Sequence, residues 1–494
     1  MTFTDQGHYD KKTLFKYLVL LGLWTALWKV TQGYIVAVMP IYLLILIAQK
    51  KSVEVLFWVL VLIVTGIGNP LIYPSGSVVM LVMRLTLLSI SIFLVMRIAG
   101  KRMPVFIRPL LGILFYIAWE ALVSMQGYSP VISYLKLLLF VPLYLTVYAI
   151  ACDVTTSPQA DAKQIHAAVL AISILLIGGS MVLLGFPSIG EMVAMRQIME
   201  GGDAAEILQY ISADEWTSFF CGLCNHSQAL GPVIALMSVL VFSDYVFGLR
   251  RKDWIYLGLL LCCPILIYKT SCRTAMGAYL AGMGMAVFLF MQARTVGQKW
   301  KGKVLMSIFA LGVLSLVALM FVPDVRERAL KFTLKFSDQY SPTRDLTMDR
   351  LTSSRQAAIE TSLAGFRKKP LWGNGFQVGW WMARERRKGW VSYVSAPIEK
   401  GVWPTAVLEE GGLIGFVLFA GFLFATIVTL IKRRAYCGVC VLWTFSFSNL
   451  GEFNFFTMSS IGGVGWAMVF AGLILDGQRF KVERLVLGEG RRLR

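Results

Sequence analysis

Residues 78–98 read VVMLVMRLTLLSISIFLVMRI, an apolar run that includes Arg84 and ends near Arg97. A helix of about 20 apolar residues spans the hydrocarbon core of a bilayer, so this run predicts a transmembrane helix. The whole chain has the same character, since 57% of its 494 residues are hydrophobic and 15% are charged, with a mean hydropathy of +0.67. This composition excludes a water-soluble globular protein.

Similar runs recur along the chain and predict an all-α polytopic membrane protein with about 12–14 transmembrane helices. The predicted spans are 14–31, 33–48, 53–68, 78–98, 108–124, 131–151, 165–185, 227–247, 254–270, 274–292, 303–322, 403–430, 436–449 and 457–475. We divide the chain into an N-terminal membrane part, 1–322, with an outer loop at 186–226, a long basic loop, 323–402, and a C-terminal part, 403–494, with further spans and a basic tail.

Lysine and arginine are concentrated in alternate loops, which indicates the orientation of the spans. The short loops 69–77, 125–130 and 450–456 contain neither residue, whereas the loops between them are rich in both. By the positive-inside rule, we expect the basic loops and both termini in the cytoplasm. The first apolar run lacks a small-residue cleavage site, so we interpret it as an uncleaved span.

The long loop 323–402 is basic although it is predicted on the outer side. It contains fifteen Lys and Arg against eight Asp and Glu, within a chain whose formal net charge is +19. Long segments escape the positive-inside rule during insertion, so the charge indicates an anionic partner, with a solvated basic face as the alternative. Nucleic acid is not expected, because the other basic residues mainly fix the topology and contact anionic lipid headgroups.

Five ionisable residues fall inside predicted spans, within about two helical turns of the outer face. They are Arg84, Glu120, Lys136, Lys269 and Arg273. The basic ones could snorkel to the surface, but an acidic residue among them favours a polar cavity that opens outward. We identify no ionisable residue in the inner half of the spans, which argues against a transport pathway.

A helix is predicted inside the long loop. Ser353-x-x-Gln356 has the pattern of a capping box, and the helix would end near Lys368 and Lys369, before Pro370. Arg355 would then lie in the first turn, where free backbone N–H groups and a guanidinium could bind a phosphate together.

Two C-x-x-C pairs, Cys221/Cys224 and Cys437/Cys440, raise the question of a zinc site. Their predicted positions on opposite sides of the membrane prevent them from sharing one metal ion, so we expect no metal site. A disulfide between Cys221 and Cys224 and a role as buried apolar residues both stay open. The stretch Gly373-Asn-Gly375 lacks the strand and helix of a dinucleotide-binding motif.

Four stretches of the second half of the chain carry a resemblance to a known family. They are Thr270-Ser-Cys-Arg273-Thr-Ala; Ser354-Arg355 followed by Pro370-Leu-Trp-Gly373-Asn-Gly375; Leu408-Glu-Glu410-Gly-Gly412-Leu-Ile-Gly415; and, more weakly, Asn225-His-Ser-Gln-Ala-Leu-Gly231. In their order and spacing, the sequence resembles the O-antigen ligase/polymerase family of bacterial membrane proteins.

The resemblance implies a GT-C-like fold in the bacterial inner membrane and a metal-independent, inverting glycosyl transfer on the periplasmic side. The donor would be a saccharide on undecaprenyl pyrophosphate, held by Arg273 and Arg355, and no cofactor is expected. A polysaccharide chain-length regulator or a flippase would be the protein partner.

Many members of that family have a His nine residues before the Glu of the E-x-G motif, as the base or acceptor-orienting group, but this chain has Gly401 there. An acceptor hydroxyl benefits from a proton acceptor during attack, for which Glu399 is the leading candidate. The other candidates are Glu410, Glu120 and His226. Lys400 could instead assist the departing pyrophosphate.

The missing His favours a surface polysaccharide (O-antigen or exopolysaccharide) polymerase over a ligase that delivers polymer to lipid A core or to protein. A lipid-linked oligosaccharide flippase, which would bind the same carrier without catalysis, is the alternative from another class. A structural membrane subunit is a further alternative.

Overall fold

The computed structural model describes residues 9–69, 71–74, 77–99, 107–156, 162–186, 189, 220–247, 253–270, 272–293, 348–379, 400–451, 453–457 and 461–492. Across these ranges the regular structure is helical, and the one β-type pairing is an isolated bridge between Gly68 and Cys224. The predicted all-α class is therefore confirmed for this part of the chain.

The α-helices are α1 (Lys11–Val30), α2 (Met39–Ala48), α3 (Ser52–Gly66), α4 (Ser77–Ala99), α5 (Ile107–Ser124), α6 (Pro130–Thr156), α7 (Ala162–Ser173), α8 (Gly179–Leu184), α9 (Ser227–Phe247), α10 (Trp254–Lys269), α11 (Arg273–Ala293), α12 (Met348–Lys368), α13 (Trp403–Lys432), α14 (Tyr436–Ser448) and α15 (Ile461–Arg492). A 3-10 turn, Tyr34–Val38, leads into α2, and a π-helical turn, Ile174–Gly178, joins α7 to α8.

Within the described ranges, eight helical segments are long and apolar enough to cross a membrane, and five shorter apolar helices accompany them. Thirteen of the fourteen predicted spans coincide with these helices, and the remaining one, 303–322, lies outside the described residues. The protein is therefore a multi-pass helical membrane protein.

Aromatic side chains fill the centre of the bundle where α13, α14 and α15 meet. Phe419, Phe445, Phe455 and Trp466 are fully buried and contact one another, with Phe445 and Phe455 ring centroids 4.7 Å apart. Lipid tails are as apolar as these rings, so the cluster stabilises the bundle by close packing rather than by transfer out of water. It forms a rigid base for the start of α13.

The helix predicted inside the long loop begins earlier than the capping box indicated. α12 starts at Met348, with Asp349 in its first turn, so Ser353 is not the N-cap and that prediction is wrong. Met348, Arg350 and Leu351 have high intrinsic helix propensity, which accounts for the earlier start. The predicted end is confirmed, because α12 stops at Lys368.

Buried ionisable residues also occur at the helix ends that adjoin the basic loops, contrary to the expectation from sequence. Arg97 Nη2 lies 3.3 Å from Asp153 Oδ2, and His166 Nδ1 lies 3.3 Å from Asp244 Oδ2. His166 and Asp244 belong to predicted spans, so the statement that the inner half lacks ionisable groups is wrong. Each is matched with a partner from another helix, as buried charges require.

Cys221 and Cys224 are both buried and in the free thiol form. Burial raises the pKa of the Cys221 thiol to about 11, which makes it a poor nucleophile. The turn that carries both residues packs against the end of α3, where Asn225 N–H donates to Ile67 O over 2.9 Å. Their role in this structure is packing.

Candidate functional site

Helix α13 is broken in its third turn by Gly412. The backbone there has φ +66° and ψ −165°, a conformation open to glycine and strained for other residues. The break frees helix hydrogen-bonding groups, and several of them find partners in the segment after α12. Leu413 N–H donates to Pro370 O over 2.8 Å, and Gly375 N–H donates to Glu410 O over 3.0 Å. Two stretches far apart in sequence are thereby joined by backbone hydrogen bonds.

Residues 370–375 form a tight turn that fits only because of its glycines. Gly373 has φ +78°, and a Cβ at this position would overlap the backbone carbonyl of Glu410. Asn374, which is buried, donates from Nδ2 to Gly365 O over 2.9 Å and from its backbone N–H to Glu410 O over 2.9 Å. Asn374 therefore ties the end of α12 to the break in α13.

A lysine and two glutamates form a buried ion-paired group beside this break. Lys400 Nζ lies 3.0 Å from Glu410 Oε1 and 3.3 Å from Glu409 Oε2, and the three side chains are at most 3% exposed. Burial alone would lower the pKa of Lys400, but the two carboxylates outweigh it and raise the pKa above its usual value. Lys400 is therefore a firmly charged ammonium.

A third carboxylate, Glu120 of α5, lies on the other side of the break. It is fully buried, it interacts with the hydroxyl group of Tyr116, one turn earlier on α5, and it forms no ion pair among the described residues. Gly411 and Gly415 of α13 cover it, and a Cβ on Gly415 would lie 3.1 Å from Glu120 Oε1. The glycines allow α5 to approach closely, and the neighbouring Trp119 donates from Nε1 to Gly411 O over 2.7 Å.

Lys136 of α6 completes the group. Its side chain is 4% exposed and interacts electrostatically with Glu410 and Lys400. The site thus contains the carboxyl groups of three glutamates and the amino groups of two lysines, all on side chains that are at most 4% exposed. Charges in such a place are costly unless they are paired or functional, and Glu120 is the glutamate of the group that has no ion-pair partner in the described part of the chain.

Sequence reasoning selected four members of this group, Glu120, Lys136, Lys400 and Glu410, and the structure brings them together. It missed Glu409, whose carboxylate also contacts Lys400. The two adjacent glutamates before the double glycine were the available signal, but sequence alone does not tell which of them faces Lys400.

Arg273 begins α11 and is half-buried. The following residue, Thr274, packs against Gly451, and the nearby Asn449 O accepts a 3.0 Å hydrogen bond from Trp403 N–H at the start of α13. The start of α11 and the start of α13, three residues after Lys400, therefore contact the same turn, residues 449–451. Lys269, in the last turn of α10, is exposed.

Other predicted site residues lie elsewhere or outside the described residues. Arg84 has a buried Nε without a hydrogen-bond partner in the described ranges, and it forms no ion pair there with the glutamates around Lys400. His226 is exposed at the start of α9, where its Nδ1 accepts from Gln228 N–H over 2.9 Å. Its loop contacts α3, so the structure does not bring it to the buried group.

Glu399 lies outside the described residues, and its role stays a prediction. Arg355 lies in the third turn of α12, not the first, because the helix starts at Met348. The expectation that Arg355 and the helix N-terminus bind one phosphate together is therefore wrong, and its assignment to the pyrophosphate rests on the resemblance alone. Among the described residues, no three His, Cys, Asp or Glu side chains are placed to share a metal ion.

The fold and this group define a multi-pass helical membrane protein with a buried charged site at a helix break. Neither the models of known protein families nor the curated proteins include one that matches the chain.

Proposed function

We propose that the protein is a glycosyltransferase that extends a surface polysaccharide, with a saccharide on undecaprenyl pyrophosphate as the donor. The observation that supports this most is the meeting of two stretches that carry the family resemblance, Pro370–Gly375 and Glu410–Gly415, around Glu120 and Lys400. A polymerase of this kind transfers the growing glycan to the non-reducing end of a lipid-linked repeat unit.

In this reaction an acceptor hydroxyl attacks the anomeric carbon of the donor from the face opposite the pyrophosphate. The new C–O bond forms as the bond to the pyrophosphate breaks, the electron pair leaves with the lipid pyrophosphate, and the configuration inverts. The hydroxyl proton passes to a carboxylate. We assign this role to Glu120, because Glu409 and Glu410 are both ion-paired with Lys400 and Glu120 is not.

The departing pyrophosphate needs cations that stabilise its growing charge. The family resemblance assigns Arg273 and Arg355 to the pyrophosphate. The assignment of Arg273 is supported because the start of α11, which carries it, and the start of α13, close to Lys400, contact the same turn at 449–451. The alternation of basic loops supports an inner-membrane location, with the site toward the periplasm and both termini in the cytoplasm. A chain-length regulator or a flippase would be its protein partner.

A ligase would use the same donor chemistry with lipid A core or protein as the acceptor, and it is the close alternative. A flippase for lipid-linked oligosaccharides is a second candidate, because buried pairs such as His166–Asp244 lie at the helix ends opposite Glu120. Ionisable groups at both levels of a membrane are expected in a transport pathway.

Deletion of the gene, followed by analysis of lipid-linked and surface glycans, separates these activities. Accumulation of single repeat units on the periplasmic leaflet is the result expected for a polymerase. Long polymer that stays on its lipid carrier would indicate a ligase, and repeat units on the cytoplasmic leaflet would indicate a flippase. Unchanged glycans would contradict all three.

A further inference from the structure

The segment that closes the break in α13 also carries an exposed surface of mixed character, formed by Arg367, Lys368, Lys369, Leu371 and Trp372. The three basic residues are exposed, Leu371 is 52% exposed and Trp372 is 59% exposed. Large apolar side chains exposed next to cations are typical of a contact with a membrane interface.

The level of this surface along α5 can be read from two contacts. Trp372 stacks on Trp119, with ring centroids 5.0 Å apart and planes at 22°. Trp119 is five residues inside the end of the candidate span at Ser124, which at about 1.5 Å per residue is roughly 7.5 Å below that end. We take the end of this span as the edge of the hydrocarbon core, which places the Trp372 ring just below that edge, beside the first acyl carbons.

Lys369 lies higher. Its Nζ donates to Gln126 O over 2.8 Å, and Gln126 follows the end of the span by two residues. The ammonium group is thus at headgroup depth, above the indole ring, and keeps two N–H donors for a further acceptor. A cation above an interfacial aromatic ring is the arrangement by which membrane proteins contact lipid phosphates.

Exposed apolar neighbours on the two adjoining spans continue this surface. They are Leu122 and Met125 at the end of α5, which are 57% and 64% exposed, and Leu413 after the break in α13, which is 48% exposed. Trp372 therefore extends a surface that already faces lipid, which favours lipid over a saccharide in water as its partner.

We propose that these five residues bind the headgroup region of an anionic phospholipid, with the phosphate near Arg367, Lys368 and Lys369 and the Trp372 ring beside the first acyl carbons. This contact does not depend on the proposed glycosyl transfer. Because Pro370 O accepts from Leu413 N–H, a bound lipid would hold the same turn that closes the helix break.

Fluorescence quenching by brominated lipids in vesicles of phosphatidylcholine tests this contact in the full-length protein. The Trp372 signal is the difference between the wild type and the Trp372→Phe variant. We expect brominated phosphatidylglycerol to quench it about threefold more than brominated phosphatidylcholine at equal mole fraction, because the basic residues enrich the anionic lipid locally.

A variant with Arg367→Gln, Lys368→Gln and Lys369→Gln should lose this preference and give equal quenching. The control neutralises Lys432, Arg433 and Arg434, three exposed basic residues at the opposite end of α13, and should keep the threefold preference. If the first variant does not accumulate in membranes, Lys368→Gln alone replaces it and should lower the preference.

Two results would overturn the proposal. Absence of quenching by either lipid would place Trp372 in water or against a saccharide. Equal quenching by both lipids in the wild type would show a membrane contact without selection for anionic headgroups.

Discussion

Replacing Lys400 by methionine should destabilise the protein strongly, since it leaves two buried carboxylates without their cation. Lys400 Nζ contacts Glu410 at 3.0 Å and Glu409 at 3.3 Å, and both carboxylates are at most 2% exposed. Removing one partner of a buried ion pair costs about 3–5 kcal/mol. The ion-paired group is therefore expected to matter far more to stability than a surface pair.

The expected shift in melting temperature follows from the size of the chain. At about 2.1 cal/mol/K per residue, 494 residues give an unfolding entropy of roughly 1 kcal/mol/K. The Lys400→Met variant should then melt about 3–5 °C below the wild type in detergent. Adding Glu409→Gln and Glu410→Gln to it should recover most of this loss, because the two carboxylates that pair with Lys400 are then neutral amides.

Lys16→Met is the matched control, because Lys16 forms a long, exposed pair with Glu54, 3.9 Å apart and with side chains 55% and 25% exposed. Surface pairs contribute about 0–1 kcal/mol, so this variant should melt within about 1 °C of the wild type. If Lys400→Met behaved like Lys16→Met, the buried ion-paired group would not exist as described.

Three further changes test the surroundings of the group. Gly411→Ala places a methyl group against Glu120 Oε1 and should cost roughly 1–3 kcal/mol of stability in the thermal assay. Gly421→Ala, on the same helix with open space around it, should instead stabilise the protein by roughly 0.5–1 kcal/mol. Equal effects of the two changes would contradict the close approach of α5 to α13. Asn374→Ala leaves the buried Gly365 carbonyl without its side-chain donor, while Glu409 O keeps the donor from the backbone N–H of residue 374, and the change should cost roughly 1–3 kcal/mol, measured by melting. An unchanged melting temperature would contradict the role of Asn374 in joining α12 to the break in α13. Because the pKa of Lys400 is raised above 10.5, its stabilising contribution is fully present below that pH and is lost as the pH rises through the raised value. The difference in melting temperature between the wild type and Lys400→Met should therefore stay constant from neutral pH to about 10. A difference that shrinks at a pH below about 10 would contradict a raised pKa of Lys400.

Much of the fold could be predicted from the sequence because membrane spans leave a direct signal in hydropathy. Single charges inside apolar runs also stand out, and they identify Glu120 and Lys136 as candidates. Lys400, in the long loop, is identified by the family resemblance instead. The cost of burying a charge makes such residues informative in a membrane protein.

The pairing of distant segments could not be predicted in the same way. The turn at 370–375 fits the break at Gly412 through backbone hydrogen bonds, and backbone groups have no sequence signature of their own. His166 and Asp244 were missed because one polar residue near a span end hardly changes the average hydropathy, while their pairing depends on how α7 and α9 pack. Both cases depend on tertiary contact rather than on local pattern.

The most direct test of the proposed function is the glycan profile of a deletion strain that expresses the Glu120→Gln variant. This change keeps the shape of the side chain and removes its ability to accept the acceptor proton. Glu54→Gln, a change to a surface-paired glutamate on α3, is the control and should restore full-length polymer. We expect the Glu120→Gln protein to reach wild-type levels in the membrane while lipid-linked single repeat units accumulate as in the deletion strain. Polymer of normal amount and length from the Glu120→Gln strain would contradict the assignment of Glu120 as the catalytic base.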